Sequence, residues 1–268
     1  MAEKKEKKLV ASENEVTMTQ AQPTGNATGY RIGAIICWVL GLVCEVFALL
    51  FFKQKFHIFG DGASIDLVSV IALLVIDLIF VIIGSSLWKK ANHIDPASEA
   101  NKIKFWLWNN LGVIVSAVAF IPFVIIALTD KNADKTSKTV AVIVAAVACL
   151  IGGFTSYDYN PVSSEQLQAA TNALGDTTVY WTEYGNSTHK YHIDSDCQHL
   201  KNTKSDEIKY GTVEQAFAGN ATALCKTCQK KHQDIEGINN VSTGDEAATS
   251  ADTEAETEEV TEEAADAA

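Results

Sequence analysis

Four residues in the last third of the chain have the types and spacing of a metal site. They are His192, Cys197, Cys225 and Cys228, which are spaced H-x4-C-x27-C-x2-C. A C-x2-C pair places two thiolates on one short turn, and zinc takes four Cys or His ligands in a tetrahedron. Because four protein ligands leave no open position for a catalytic water, this spacing predicts a structural zinc site.

Two alternatives to this ligand set remain open. His199 is the main rival for the histidine position because it lies two residues after Cys197, whereas His189 and His232 fit the spacing less well. A lone C-x2-C pair could instead be a redox pair, although the third cysteine and the histidine favour a metal ion. The other three cysteines lie in long apolar segments, where we expect them to pack as small apolar groups: Cys37, Cys44 and Cys149.

A second group with possible chemistry consists of Glu45 and Asp77, which are the only charged residues in two long apolar segments. An acidic side chain near the centre of a membrane span costs about 3 kcal/mol on insertion scales, so such groups usually face a partner or a cavity. If the two acids met, they would favour a shared proton or a bound cation. They support an alternative function as an ion or proton transporter or channel.

The elements that must position these residues divide into an apolar half and a polar half. Of the 268 residues, 32–52, 67–88, 105–128 and 139–157 form apolar runs long enough to cross about 30 Å of hydrocarbon. The polar parts of the sequence predict an N-terminal tail over 1–29, a linker over 158–176 and a metal-binding domain over 177–232. Residues 233–268 contain twelve Asp or Glu and neither Lys nor Arg, which predicts a disordered acidic tail.

The sequence therefore predicts an α-helical integral membrane bundle of four transmembrane helices plus a small α+β zinc-binding domain. Nine Lys or Arg flank the spans on the side of the N-terminus and five on the other, which by the positive-inside rule places both termini in the cytoplasm. The net charge of −12 comes from the acidic tail, since residues 1–232 hold 21 acidic and 21 basic side chains. A basic footprint for nucleic acid is absent.

Two segments carry a resemblance to a known family. Lys190 to Asn202, KYHIDSDCQHLKN, and Gly211 to Cys228, GTVEQAFAGNATALCKTC, resemble the small zinc-binding module of the bacterial Ada alkylation-response protein and related Ada-like repeats. The resemblance covers about a fifth of the chain, residues 178–230, and implies a bacterial membrane protein that binds Zn2+ through His192, Cys197, Cys225 and Cys228. In the Ada module, one of four cysteines accepts a methyl group from DNA. His192 stands at that position here, so methyl transfer is not expected.

These observations predict a membrane-anchored zinc-binding module that organises or recognises an unknown protein partner. We assign no reaction and no catalytic residue, because the sequence shows no nucleophile and base pair, phosphate loop or open metal triad. The lipid bilayer is the other expected partner.

Overall fold

A computed structural model of the chain describes residues 17–55, 58, 66–183, 189–203, 205 and 207–244. These residues form two compact units. We call residues 25–161 the bundle, and residues 17–24 together with 162–244 the head. Most of the described chain is helical, with four candidate membrane-spanning helices and a small C-terminal region that contains the Cys/His cluster.

The bundle consists of helices α1 (Ala27–Phe52), α2 (Leu67–Ile94), α3 (Lys102–Asn109), α4 (Leu111–Thr129) and α5 (Lys135–Ser156). All except α3 are long and apolar enough to cross a membrane. Asn26, Asp66 and Asp134 each accept a hydrogen bond from a backbone N–H in the first turn, which satisfies a donor that the helix leaves free. Large apolar side chains are exposed along the outer faces, as lipid contact requires: among others Ile36, Val39, Ile79, Ile125 and Leu150.

The third predicted span differs from the structure, because the helix is interrupted at Asn110. The side-chain amide of Asn109 donates to the carbonyl oxygen of Phe105 at 3.1 Å, and that of Asn110 donates to Trp106 at 3.0 Å. Such local bonds compete with the regular helix ladder. Asn109 also accepts a hydrogen bond of 3.2 Å from the side chain of Asn92 in α2. The membrane-crossing helix therefore begins at Leu111 rather than at residue 105.

Helices α1 and α2 run antiparallel and approach closely where small residues face large ones. A Cβ atom at Gly84 of α2 would lie 2.5 Å from the indole nitrogen of Trp38, and Gly33 of α1 lies beside Leu87. Close approach at small residues is the usual way that helices pack in lipid. Further along, Leu74 packs with Phe120 and Phe123 of α4 in a core that solvent does not reach.

The head contains nine short elements around one core. They are β1 (Thr17–Gln20), α6 (Ser164–Leu174), β2 (Val179–Trp181), β3 (Lys190–Tyr191), α7 (Gln198–Lys201), β4 (Glu207–Gly211), α8 (Val213–Ala218), β5 (Ala223–Leu224) and α9 (Lys226–Lys231) among the described residues, followed by a 3-10 turn at Ile238–Asn240. Strand β4 lies between β1 and β2 in one sheet, and β3 pairs with β5 in another. Helix α8 is capped by the side chain of Thr212 and ends at Gly219.

Strands β2 and β3 do not form a regular hairpin, because a single bridge connects them. Strand β2 pairs with β4 in antiparallel fashion, and β3 pairs with β5 in parallel. Only Tyr180 and His192 connect the two segments as the hairpin required. The two long-range pairings bury Val179, Trp181 and Tyr191 completely, which a local hairpin cannot achieve. Residues 184–188, between the two strands, lie outside the described residues.

The boundaries of the head are wider than the predicted 177–232. Helix α6, in the segment predicted as a linker, buries Ala170 and Leu174 in the head core, and Val162 before it is also buried. Ile238 and Val241, in the segment predicted as disordered tail, belong to the same core. Apolar burial thus orders both segments despite their polar composition. The rest of the predicted acidic tail, residues 245–268, lies outside the described residues.

The predicted N-terminal tail also contributes to the head. Strand β1 pairs in parallel with β4, in the register Thr17 with Glu207 to Gln20 with Tyr210. Two further hydrogen bonds extend this contact: Ala21 N–H donates to the Tyr210 carbonyl at 2.8 Å, and the Gln215 side chain donates to the Gln22 carbonyl at 3.3 Å. A strand before the first helix of the bundle and a strand after the last therefore share one sheet.

Candidate metal centre

The four predicted ligands are brought together in the head by three separate elements. His192 directly follows β3, Cys197 begins α7, Cys225 begins α9, and Cys228 lies in the first turn of α9. All four are buried, with His192 at 0% exposure and the cysteines at 6% or less. Their candidate ligand atoms all lie within 4.8 Å of one another. These residues form a buried cluster that could bind a metal ion.

Two distances within this cluster match the edges of a tetrahedral site. Cys197 Sγ lies 3.9 Å from Cys225 Sγ, and Cys228 Sγ lies 3.8 Å from His192 Nδ1. A tetrahedron with metal–sulfur bonds of about 2.3 Å has edges of roughly 3.8 Å. The cluster therefore already has the size of a four-coordinate site, although no disulfide joins its cysteines.

Backbone hydrogen bonds hold the two halves of the cluster in place. His192 and Tyr180 exchange two backbone hydrogen bonds of 2.8 Å, which fix the chain at the histidine. The N–H of Cys225 donates to the Tyr191 carbonyl at 2.9 Å, so the start of α9 is bonded to the residue before His192. The ligands are thus positioned by strand pairing and by the start of a helix, both of which restrict backbone movement.

Asp194 is a supporting residue that sequence reasoning missed. Its carboxylate accepts a hydrogen bond from Lys231 at 2.9 Å and lies 3.1 Å from His232 Nε2, both at the end of α9. The hydrogen bond from Lys231, above all, lowers the pKa of Asp194 below its usual value. The loop between His192 and Cys197 is therefore connected to the helix that carries Cys228. Nothing in the spacing of Asp194 signals this role.

The thiols of the cluster are strongly coupled to one another. A hydrogen bond with Cys228 lowers the pKa of Cys225, and the same contact raises the pKa of Cys228. Burial raises the pKa of Cys197. Three thiols in so small a space cannot all ionise without a counter-charge, and a divalent cation supplies one while displacing their protons.

His192 also carries a buried ring nitrogen that needs a partner. Its Nε2 atom makes no hydrogen bond to any part of the chain that the structure describes. The ring nitrogen that lies in the cluster is Nδ1, 3.8 Å from Cys228 Sγ, so a cation coordinated there would leave Nε2 as a buried donor without a partner, at a cost to the fold. The four donors and the size of the cluster fit a bound metal ion.

The rival histidines lie outside the cluster. His199 is exposed and its Nε2 lies 3.0 Å from the Thr227 hydroxyl, while Nδ1 of His189 lies 3.3 Å from the carbonyl oxygen of Asn220. His232 lies beside Asp194, with its Nε2 atom 3.1 Å from the carboxylate. The geometry therefore favours His192 as the fourth ligand.

We expect His192→Ala to lower the metal affinity of the full-length protein by roughly 100-fold or more, since even the loss of a supporting residue can cost 10–100-fold. His199→Ala should leave the affinity unchanged, because that ring makes only a surface contact. Metal content per chain, measured by mass spectrometry after dialysis against a weak chelator, distinguishes the two. Loss of metal from His199→Ala with full retention in His192→Ala would reverse the assignment.

The second pair of predicted site residues, Glu45 and Asp77, lies in the bundle. Glu45 is 5% exposed on α1 and Asp77 is fully buried on α2. Cys37, Cys44 and Cys149 are partly buried in α1 and α5, with no disulfide among them. The two acids are thus brought into the interior of the bundle rather than left on its lipid-facing surface.

Similarity to known proteins adds no further assignment to this site. No protein-family model, curated protein or solved structure matches the chain.

Proposed function

We propose that the protein is a membrane-anchored zinc-binding module whose head recognises a protein partner. The observation that carries this proposal is the buried His192, Cys197, Cys225 and Cys228 cluster in a head of short elements. A small domain of this kind often needs a metal ion to hold its fold. All four ligands come from the protein, so the ion acts as a cross-link and no reaction is assigned to it.

Zinc is the metal that this donor set fits best. Three thiolates and one imidazole are soft to borderline ligands, and zinc binds such sets with tetrahedral geometry. Calcium and magnesium prefer oxygen ligands, which the cluster lacks. Zinc is also redox-inactive, so it would protect Cys225 and Cys228 from acting as a redox pair. A resemblance to the Ada-like zinc modules agrees with this choice.

The membrane anchor of this module is the bundle. Four apolar helices return the chain to the side from which it started, and the pairing of β1 with β4 requires the same outcome. The excess of Lys and Arg beside the N-terminus and the α2–α3 connection makes the cytoplasm the favoured side for the head. We propose a location in the bacterial plasma membrane, with both termini inside the cell.

The recognition role rests on two partly exposed tyrosines of the head sheet. Tyr180 of β2 and Tyr210 of β4 are directly opposite in the register, with ring centroids 6.4 Å apart, and both are partly exposed. Tyrosine is enriched at protein interfaces because it offers apolar area and a hydroxyl group on a stiff side chain. Nucleic acid is a poorer fit, since residues 176–232 contain seven Lys and seven Asp or Glu.

The test combines metal analysis with crosslinking in cells. Full-length protein purified without added metal should contain a single zinc ion per chain, and Cys225→Ser should contain almost none. A photoreactive phenylalanine analogue at Tyr210 should crosslink to a defined protein only when Cys225 is intact. The same analogue at Glu236, an exposed position elsewhere on the head, serves as the control. Absence of zinc from the purified protein, or crosslinks that do not depend on Cys225, would contradict the proposal.

A further inference from the structure

Two carboxyl groups are buried in the bundle without any charged partner. Both oxygens of Asp77 and the Oε1 atom of Glu45 are inaccessible and make no hydrogen bond to the described chain. The side chains themselves are at least nine-tenths buried, at 0% and 5% exposure. An unpaired buried carboxylate is among the most costly groups in a protein. Ionisation of both groups without a partner would therefore destabilise the bundle.

The packing of α1 places the two carboxyl groups in one region. A Cβ atom at Gly41 would lie 2.5 Å from Asp77 Oδ1, so a larger residue at this position would displace that carboxyl group. Gly41 precedes Glu45 by four residues, which is one helical turn on the same face of α1. Asp77 therefore lies against α1 beside Glu45.

No basic side chain in the spans can neutralise the pair. Lys, Arg and His are absent from residues 32–52, 67–88, 111–129 and 139–156. Apart from the two acids, the ionisable groups of these segments are thiols, of which Cys44 of α1 interacts electrostatically with Asp77 and Cys149 belongs to α5. The α4 group that faces Glu45 is the backbone amide of Phe123, which carries no formal charge. Two ionised carboxylates would thus repel each other in a dry interior.

A metal cation fits this site poorly. Calcium takes six to eight oxygen ligands, and magnesium takes six in nearly ideal octahedral geometry. The pair offers two carboxyl groups, and helices α1 and α2 are continuous over Ala27–Phe52 and Leu67–Ile94, so their carbonyl oxygens are used within the helices. A proton removes the charge repulsion and also supplies a donor for an unpaired oxygen, without any further ligand.

We propose that Glu45 and Asp77 form a proton-binding pair of carboxyl groups, of which at least one is protonated inside the bundle. The ligand is a proton, and Gly41 is the residue that lets the two groups approach. This inference goes beyond the function proposed for the head and does not depend on zinc. A proton held by this pair is also what the alternative function, proton transport through Glu45 and Asp77, would use.

The test is infrared spectroscopy on the full-length protein reconstituted in lipid at neutral pH. We expect a C=O stretching band of protonated carboxyl groups that shifts to lower frequency in D2O and is lost in the Glu45→Gln, Asp77→Asn double variant. Gly41→Ala should shift the band, whereas Gly153→Ala, where a Cβ meets nothing within 4 Å, should leave it unchanged. The wild-type spectrum decides even if a variant fails to fold, because a spectrum without this band would overturn the proposal.

Chemical labelling tells a proton from a metal cation. Dicyclohexylcarbodiimide is an apolar reagent that reacts with protonated carboxyl groups inside membranes, and peptide mass spectrometry locates the adduct. We expect labelling of Glu45 or Asp77 at neutral pH, unaffected by sodium, potassium or calcium ions. Asp130, which pairs with Lys53 at 2.5 Å, should stay unlabelled as an internal control. If one of these ions protected the pair from labelling, the bound species would be that cation and not a proton.

Discussion

Removal of the metal ion should unfold the head and leave the bundle intact. Binding of a structural zinc ion provides about 10–16 kcal/mol in small zinc domains, which matches or exceeds the total stability of roughly 5–15 kcal/mol of a typical protein. The cluster also connects the segment after β3 with the starts of α7 and α9, so its loss releases three elements together. Without the ion, three buried thiols and an unpaired imidazole would oppose folding.

Hydrogen exchange of the full-length protein in detergent measures this effect region by region. After treatment with a strong chelator, or in Cys225→Ser, amides over residues 189–203 and 207–241 should exchange as in an unfolded chain. Amides of α2 and α4 should keep their protection. Cys37→Ser, which changes a cysteine of α1 away from the cluster, should behave as the unmodified protein. Persistent protection of β5 and α9 in metal-free protein would show that packing alone holds the head.

The second large effect concerns the length of the head. A fragment of residues 177–232, the domain predicted from sequence, should be far less stable than one of residues 162–244. The shorter fragment lacks Leu174, Ile238 and Val241, which are at most 3% exposed in the core. Each large apolar side chain contributes about 1.5–3 kcal/mol when fully buried, so their joint loss is a major part of the stability of a small domain.

Hydrogen bonds also connect the segment after α9 with the two elements beside the metal ligands, β5 and α9. The N–H of Leu224 donates to the Ser242 carbonyl at 2.9 Å, directly before Cys225. The side-chain amide of Gln229, one residue after Cys228, donates to the carbonyls of Ile238 and Val241 at 2.9 and 3.0 Å. Removal of residues 233–244 therefore deprives both strand β5 and helix α9 of partners.

Denaturant unfolding of the two zinc-loaded fragments tests this prediction. We expect a cooperative transition for residues 162–244 and a broad or absent transition for residues 177–232. Ile238→Ala in the longer fragment should cost about 2–5 kcal/mol, whereas Glu236→Ala, at an exposed position of the same segment, should cost little. If both fragments unfolded at the same denaturant concentration, the added segments would contribute nothing to the core.

The amino-acid sequence alone was sufficient for features that are encoded locally. Apolar runs long enough to cross a membrane are visible residue by residue, and all four of the predicted spans correspond to such helices. The C-x2-C pair and the capped helix α8 are likewise set by a few neighbouring residues. His192 was preferred over His199 from spacing, and the structure places His192 in the cluster.

Features that depend on distant segments were decided by the tertiary structure. Strand β1 is four residues long and has no apolar stripe of its own, so only the edge of β4, some 190 positions later, makes it a strand. Helix α6 and the turn at Ile238–Asn240 became part of the head because Leu174 and Ile238 find an apolar core there. The orientation of Asp194 toward Lys231 and the contact between Gly41 and Asp77 arise in the same way. Long-range burial and pairing energies, which no local pattern contains, determined these contacts.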